Sequence, residues 1–281
     1  MRSASRFVSP TTLAGRLRSH RGFPRGFTRG FTLVELLVVI AIIVLIVSLI
    51  LTGLPEFQRQ SRSAKCLSNQ RQLNIAFVNY FTDNSGRFVG VDTDRNPWDW
   101  VITPIGTPYE KRIHLENGRL WKYIGNYEVY KSPFDPFPSW DPIVPNPNYQ
   151  TRMRTYSFNA FISTGEGYQW NGPPNWQVNT MGKIPLPSET IVTSLEYDHR
   201  GYNINGFGID VSGNGIWIDK IGAWHPGHFN FTMADGSTLS HRANAKQQDI
   251  DYYMTIPQNG IYWPGADYEW LRRHMAPGLF Q

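Results

Sequence analysis

The run from Gly30 to Leu54, GFTLVELLVVIAIIVLIVSLILTGL, decides how the rest of the chain is read. It holds one charged side chain, Glu35, near its start. As a helix it spans about 36 Å, enough to cross a hydrocarbon core with some tilt. An ionised group inside a membrane helix costs about 2.5–3.5 kcal/mol on insertion scales, so Glu35 needs a partner. A cut after Gly30 would give Phe31 a free α-amino group. Within one helix that ammonium is poorly placed to meet Glu35. Between neighbouring subunits staggered along a shared axis, the terminus of one meets Glu35 of the next, and assembly removes an unpaired charge from lipid. A plain signal anchor with a tolerated Glu is the other reading.

The flanks differ sharply. Residues 1–30 carry seven Arg and no acid, with Ser, Gly and Pro and no apolar period, so they read as disordered. The sequence pI is about 9.3. Without residues 1–30 the chain keeps 20 basic against 22 acidic side chains, so the basic balance belongs to the leader. That places the leader on the cytoplasmic side with the bulk of the chain translocated. It gives no basic face for nucleic acid, and no nucleic-acid partner is expected. A cleavable secretory signal would have an apolar region of roughly 7–15 residues and a small-residue cleavage site. This run is longer, and Leu51-Thr52-Gly53-Leu54-Pro55 is no such site. Cys66 is the sole cysteine, which excludes an intramolecular disulfide and leaves a packed residue or an intermolecular bridge.

The string Gly30-Phe31-Thr32-Leu33-Val34-Glu35, followed by an unbroken apolar helix, resembles the prepilin signal of type IV pilins and type II secretion pseudopilins. The resemblance implies that a prepilin peptidase cuts after Gly30 and methylates Phe31, and that Glu35 is the assembly carboxylate. Gly26-Phe27 is similar to a cleavage point too, but its fifth position is Phe31 and not an acid. Leaders in that family are often much shorter. Either Met1 lies upstream of the true start or the leader is extended.

Beyond the apolar run, Gly53 and Pro55 are expected to kink or briefly interrupt the helix. Helical patterning then resumes. Cys66, Leu73, Phe77 and Tyr80 fall near one face, widened by Leu67, Ile75, Ala76 and Phe81. Arg59, Arg62, Lys65, Asn69, Gln70 and Arg71 read as the polar remainder, and Asp83-Asn84-Ser85-Gly86 as a stop. One long helix from about Phe31 to Thr82 follows. From Arg87 onward Pro, Gly, Asn and aromatics dominate, and all ten Trp lie beyond residue 97. Strand-like runs occur at Arg87–Val91, Thr155–Ile162, Thr190–Tyr197, Tyr202–Ile209, Gly215–Ile221 and His228–Met233. The stretch Asp135–Pro147 is Pro-rich and reads as an ordered loop. The expected fold class is α+β, a long N-terminal helix packed on an antiparallel sheet with long loops. The expected domains are a leader (1–30), a transmembrane and amphipathic helix (31–84) and a β-rich body (85–281).

His225, nine intervening residues and Asp235-Gly236 resemble the H-X9-DG signature of a large group of bacterial pseudopilin-like proteins. Lys65-Cys66-Leu67-Ser68-Asn69 through Ala76 and Tyr80, Leu120–Ile124 before Ser132–Pro136, and Ser188–Glu196 are similar to the same group. Members often have Cys where Ser132 stands, so any disulfide or metal role there is absent. Phe229, Phe231 and Met233 alternate as in a half-buried strand, Asp235-Gly236 suits a two-residue hairpin turn, and Ser237–His241 is the returning strand. Fully extended, His225 and Asp235 would stand about 33 Å apart unless Pro226-Gly227 folds back. The signature therefore reads as turn chemistry at Asp235 with His225 bonded to a loop. The alternative is a calcium site on Asp235 with loop oxygens, for which Asp198, Asp210 and Asp219 are further candidates near turns.

Glu196, His199, His225 and His228 match no helical zinc motif, and no nucleophile elbow or phosphate loop is present. No enzyme is expected. Tyr168, Trp170, Trp176, Tyr262 and Trp263 lie among Gly, Asn and Pro as carbohydrate-stacking residues do. The function expected is a structural pseudopilin or minor pilin in the inner membrane, with prepilin peptidase and other pilin subunits as partners. A displayed carbohydrate-binding or adhesin module is the alternative.

Overall fold

A computed structural model of the chain describes residues 30–91, 93, 98–102, 108–135, 154–163, 178–197, 206–256 and 260–276. The chain divides into two compact units at Gly53/Leu54. Helix α1, Leu33–Asp83, contributes to both. In the first unit its side chains are exposed, and its most apolar window is long enough to cross a membrane and 0% buried. The expected interruption at Gly53 and Pro55 does not occur; both residues are helical. Pro55 has no N–H to offer the Leu51 carbonyl, so one backbone bond is lost while the ladder continues on either side.

In the second unit α1 packs on a four-stranded antiparallel sheet in the order β1-β2-β4-β5. The strands are β1 Tyr156–Phe158, β2 Ile191–Leu195, β4 His228–Met233 and β5 Thr238–Arg242. Cross-strand partners share a face, and the register therefore sorts the side chains. Tyr156, Phe158 and Leu195 join Cys66, Leu73, Ala76 and Phe77 of α1 in one core cluster. Phe229, Phe231 and Met233 join a second cluster with α4, Gln247–Thr255, and α5, Ala266–Met275. The sheet is a middle layer, with α1 on one face and α4 and α5 on the other. Two short helices, α2 Pro108–Asn117 and α3 Trp121–Ile124, follow α1, and a two-stranded sheet pairs β3 Ile216–Trp217 with β6 Ile261–Tyr262.

Asn69 and Gln70 do not belong to a solvated face. Both are buried, as is Asn74. Asn69 donates to the Glu128 and Lys131 carbonyls, Gln70 to the Asn230 carbonyl and Asn74 to the Met233 carbonyl, all at 2.8–2.9 Å. Each donated bond offsets part of the cost of burying the amide, whose oxygen has no partner among the described residues in all three, and the donors tie the helix to the sheet and to the loop at Tyr127–Lys131. Ile75, expected on the packed face, is 52% exposed. Arg87–Val91 is no strand; it makes isolated bridges at Arg87 with Thr180 and Gly90 with Asp99. Of Tyr202–Ile209 only 206–209 are described, with a bridge from Phe207 to Asn159. The Pro-rich loop lies outside the described residues apart from Asp135.

Candidate functional site

The residues that open α1 form a reciprocal cap. Glu35 N donates to Thr32 Oγ1 at 3.2 Å, while Thr32 N and Thr32 Oγ1 both donate to Glu35 Oε2, at 2.8 and 2.7 Å. Thr32 is thus the N-cap and Glu35 the third helical residue of a capping box, which satisfies two otherwise orphaned N–H groups. Glu35 therefore has a local partner, which the sequence reading had sought only in a neighbouring subunit. Both bonds to its carboxylate use Oε2. Gly30 and Phe31 precede the cap and are exposed. A Cβ at Gly30 would meet nothing within 4 Å, so packing in this chain does not require glycine there.

The second candidate region is the signature. His225 is buried, with its ring edge-on to Phe134 at 5.0 Å and to His228 at 5.0 Å. Its Nδ1 has no hydrogen-bond partner among the described residues, so the expected bond to a loop is not made by that atom. Burial above all, then the charges of His228 and Arg59, push the His225 pKa below the ordinary histidine value, against the pull of Glu56. Glu56 and Arg59 pair at 2.7 Å on α1. Gly227, at φ +70°, turns the chain into β4, and His228 N donates to the His225 carbonyl.

At the other end of β4 the expected two-residue turn is a three-residue loop. Met233 N bonds the Ser237 carbonyl, Gly236 N bonds the Met233 carbonyl, and Gly236 alone takes positive φ, +89°. This is a type I turn closed by a glycine bulge, in which Asp235 needs no left-handed backbone. Asp235 Oδ1 accepts from Ser237 N at 2.9 Å. His225 and Asp235 thus cap opposite ends of one strand and share no site.

Asp210 accepts from Ser212 N and Asn214 Nδ2, and Asp219 accepts from Gly208 N. Asp198 and His199 lie outside the described residues. Among the described residues no three His, Cys, Asp or Glu side chains converge as a metal site would need, so Glu196, His225 and His228 form no such group. Cys66 is fully buried, and burial pushes its thiol pKa up. Ser132 Oγ lies 3.7 Å from Cys66 Sγ, so the position where the similar group often carries Cys stands beside the only cysteine. Of the aromatic candidates, Tyr262 is 71% exposed but Trp263 packs on Trp217 and Tyr253. Tyr168, Trp170 and Trp176 lie outside the described residues.

Sequence reasoning missed Gln70 and Asn74, although positions 66, 70, 73 and 77 share a helical face and could have flagged Gln70. It also missed Asp267. This carboxylate accepts from His241 Nε2, from Asn244 N and Nδ2, and from Ala245 N. No local pattern announces it, because its partners lie more than twenty residues away.

No curated protein and no solved structure matches the chain. Residues 25–51 match the family model for the prokaryotic N-terminal methylation motif. That span covers Gly30, Phe31, the Thr32–Glu35 cap and most of the apolar half of α1. This end of the chain is a prepilin-type methylation segment, and in it the protein is type IV pilin-like.

Proposed function

We propose that prepilin peptidase cuts this chain after Gly30 and methylates Phe31, and that the mature protein is a pseudopilin or minor pilin subunit of a filament. The observation that carries this reading is the match of residues 25–51 to the N-terminal methylation motif, and beside it stands the Thr32–Glu35 cap. It starts the helix two residues past the proposed cut and holds Glu35 through Oε2 alone. Oε1 is left for the ammonium of a neighbouring Phe31, and the apolar surface of α1 is left for lipid before assembly and for like helices after it. The arginine-rich leader keeps the N-terminus cytoplasmic, so the body lies on the far side of the inner membrane.

The test is intact-mass and N-terminal analysis of the protein from native membranes, for the parent chain and for Glu35→Gln. Glutamine retains an oxygen for the Thr32 cap but carries no charge. The expected parent starts at N-methyl-Phe31, and Glu35→Gln is processed identically yet fails to crosslink into multimers. A parent chain retaining Arg29-Gly30 would sink the proposal. So would a Glu35→Gln variant that assembles as well as the parent.

A further inference from the structure

One protonation state suits the place that His225 occupies. Its side chain is buried, and Nδ1 finds no hydrogen-bond partner among the described residues. A neutral imidazole can leave one ring nitrogen unpaired at modest cost. An imidazolium carries two N–H groups and a charge, and buried it needs acceptors and a counter-ion. The surrounding groups are poorly set to supply them. His228 follows on the same turn with its ring 5.0 Å away, and its Nδ1 meets the Pro226 carbonyl. Arg242 stands opposite His228 across the β4–β5 ladder. From α1, Arg59 and Glu56 act on His225. Both oxygens of the Glu56 carboxylate already accept, from Arg59 Nε and Nη2 and from Gln60 Nε2. From the loop at 132–135 comes Phe134, with Asp135 as the charged residue beside it.

That loop lies against the only cysteine of the chain. Ser132 Oγ is 3.7 Å from Cys66 Sγ, and Phe134 N donates to Ser132 Oγ at 3.2 Å. Ser132 N is held by Thr155 Oγ1 and Asp135 N by the Ser132 carbonyl. Cys66 is fully buried. The edge-on contact of His225 with Phe134, at 5.0 Å, therefore ties the turn before β4 to the loop beside Cys66.

We infer that His225 is an acid-sensitive latch on this loop. Neutral, it packs on Phe134 and holds the Ser132–Asp135 loop closed beside Cys66. Protonated, it leaves its buried position, and the loop opens while the sheet stays paired. The direction follows from burial first, then from the charges of His228 and Arg59, which outweigh Glu56. The closed form resists a proton that the open form accepts. It therefore loses stability as pH falls from the ordinary histidine value of about 6.5 toward the lower closed-state value.

Cys66 itself reports the opening. The full chain in lipid nanodiscs is labelled with a dithiodipyridine at about pH 7.5 and about pH 5, on either side of the histidine range. Each rate is divided by that of the urea-unfolded chain, which removes the thiol's own pH dependence. The corrected rate should be at least about threefold higher at the lower pH. In hydrogen exchange at that pH, the amides of Ser132, Phe134 and Asp135 should open while the β1–β2 ladder stays at least about tenfold more protected. His225→Phe keeps an aromatic ring that takes no proton and should abolish the rise in labelling. His225→Gln, also without a charge, replaces it if the first variant does not melt near the parent. A parent rate that does not rise, an equal rise in the neutral variant, or loop and ladder amides exchanging at one common rate would each overturn the inference.

Discussion

Asp267 shows how much one carboxylate can hold. It joins the end of β5, the loop into α4 and the first turn of α5. Burial pushes its pKa up, but the hydrogen bonds from His241, then Asn244 and Ala245, outweigh burial and hold it at about 2. A depressed acid stabilises the fold above its ordinary pKa, and that contribution is lost as pH falls toward the folded value. The shift is worth about 2 kcal/mol. Asp267→Asn should therefore lower stability in urea melts by about that amount at pH 7, and the gap to the parent should close between about pH 4 and pH 2. Glu35 was legible in the sequence because a lone acid in an apolar run is conspicuous. Asn69 and Gln70 were misread because a polar side chain on a helix suggests water. Here their amides meet carbonyls supplied from 59 to 160 residues away, and no local pattern carries that information.

Among the elements, α1 was the most legible, since 51 residues of apolar and then amphipathic pattern leave few alternatives. The sheet was legible where its strands are long. β2 and β4 fall within expected runs, and β5 overlaps the expected return strand. β3, two residues long, falls within the expected run Gly215–Ile221, while β6, also two residues, and the helices α2, α4 and α5 were not foreseen. Strands that short are defined by their partners and carry no period of their own. The joint between α1 and the sheet rests on Phe77, whose ring stacks on Phe158 at 5.3 Å and lies 4.9 Å from Phe88. Phe77→Ala should cost about 3–5 kcal/mol in chemical unfolding, as buried aromatic truncations do. Ile75→Ala, two residues away and half exposed, should stay within about 0.5 kcal/mol of the parent. Similar losses for both would mean that the helix does not present this face to the sheet.

At the scale of the whole molecule, the compact body begins at Leu54. Cys66, Leu73, Ala76, Phe77 and Tyr80 are core residues of that body, although they lie within the 31–84 segment read from the sequence as a helix domain. A chain of residues 54–281 should fold and melt cooperatively. A chain of residues 85–281 lacks those side chains, exposes the sheet face they cover and should bind a hydrophobic dye and aggregate. Cooperative melting by the shorter chain would place the boundary after α1. The H-X9-DG spacing acquires a different meaning from the parallel run of β4 beside α1. From Glu56 to Asn74 the helix rises about 27 Å. His225 to His228 is a closed turn, so only His228–Met233 is extended, and it advances about 17 Å. The nine residues between histidine and aspartate therefore hold the end of one turn, the strand that runs along α1 and the start of the next turn. One residue added to the strand lengthens it by about 3.3 Å, a step that no whole helical turn of about 5.4 Å can absorb. The two elements are rulers with incommensurate divisions, and the signature brackets the strand that lies along the helix.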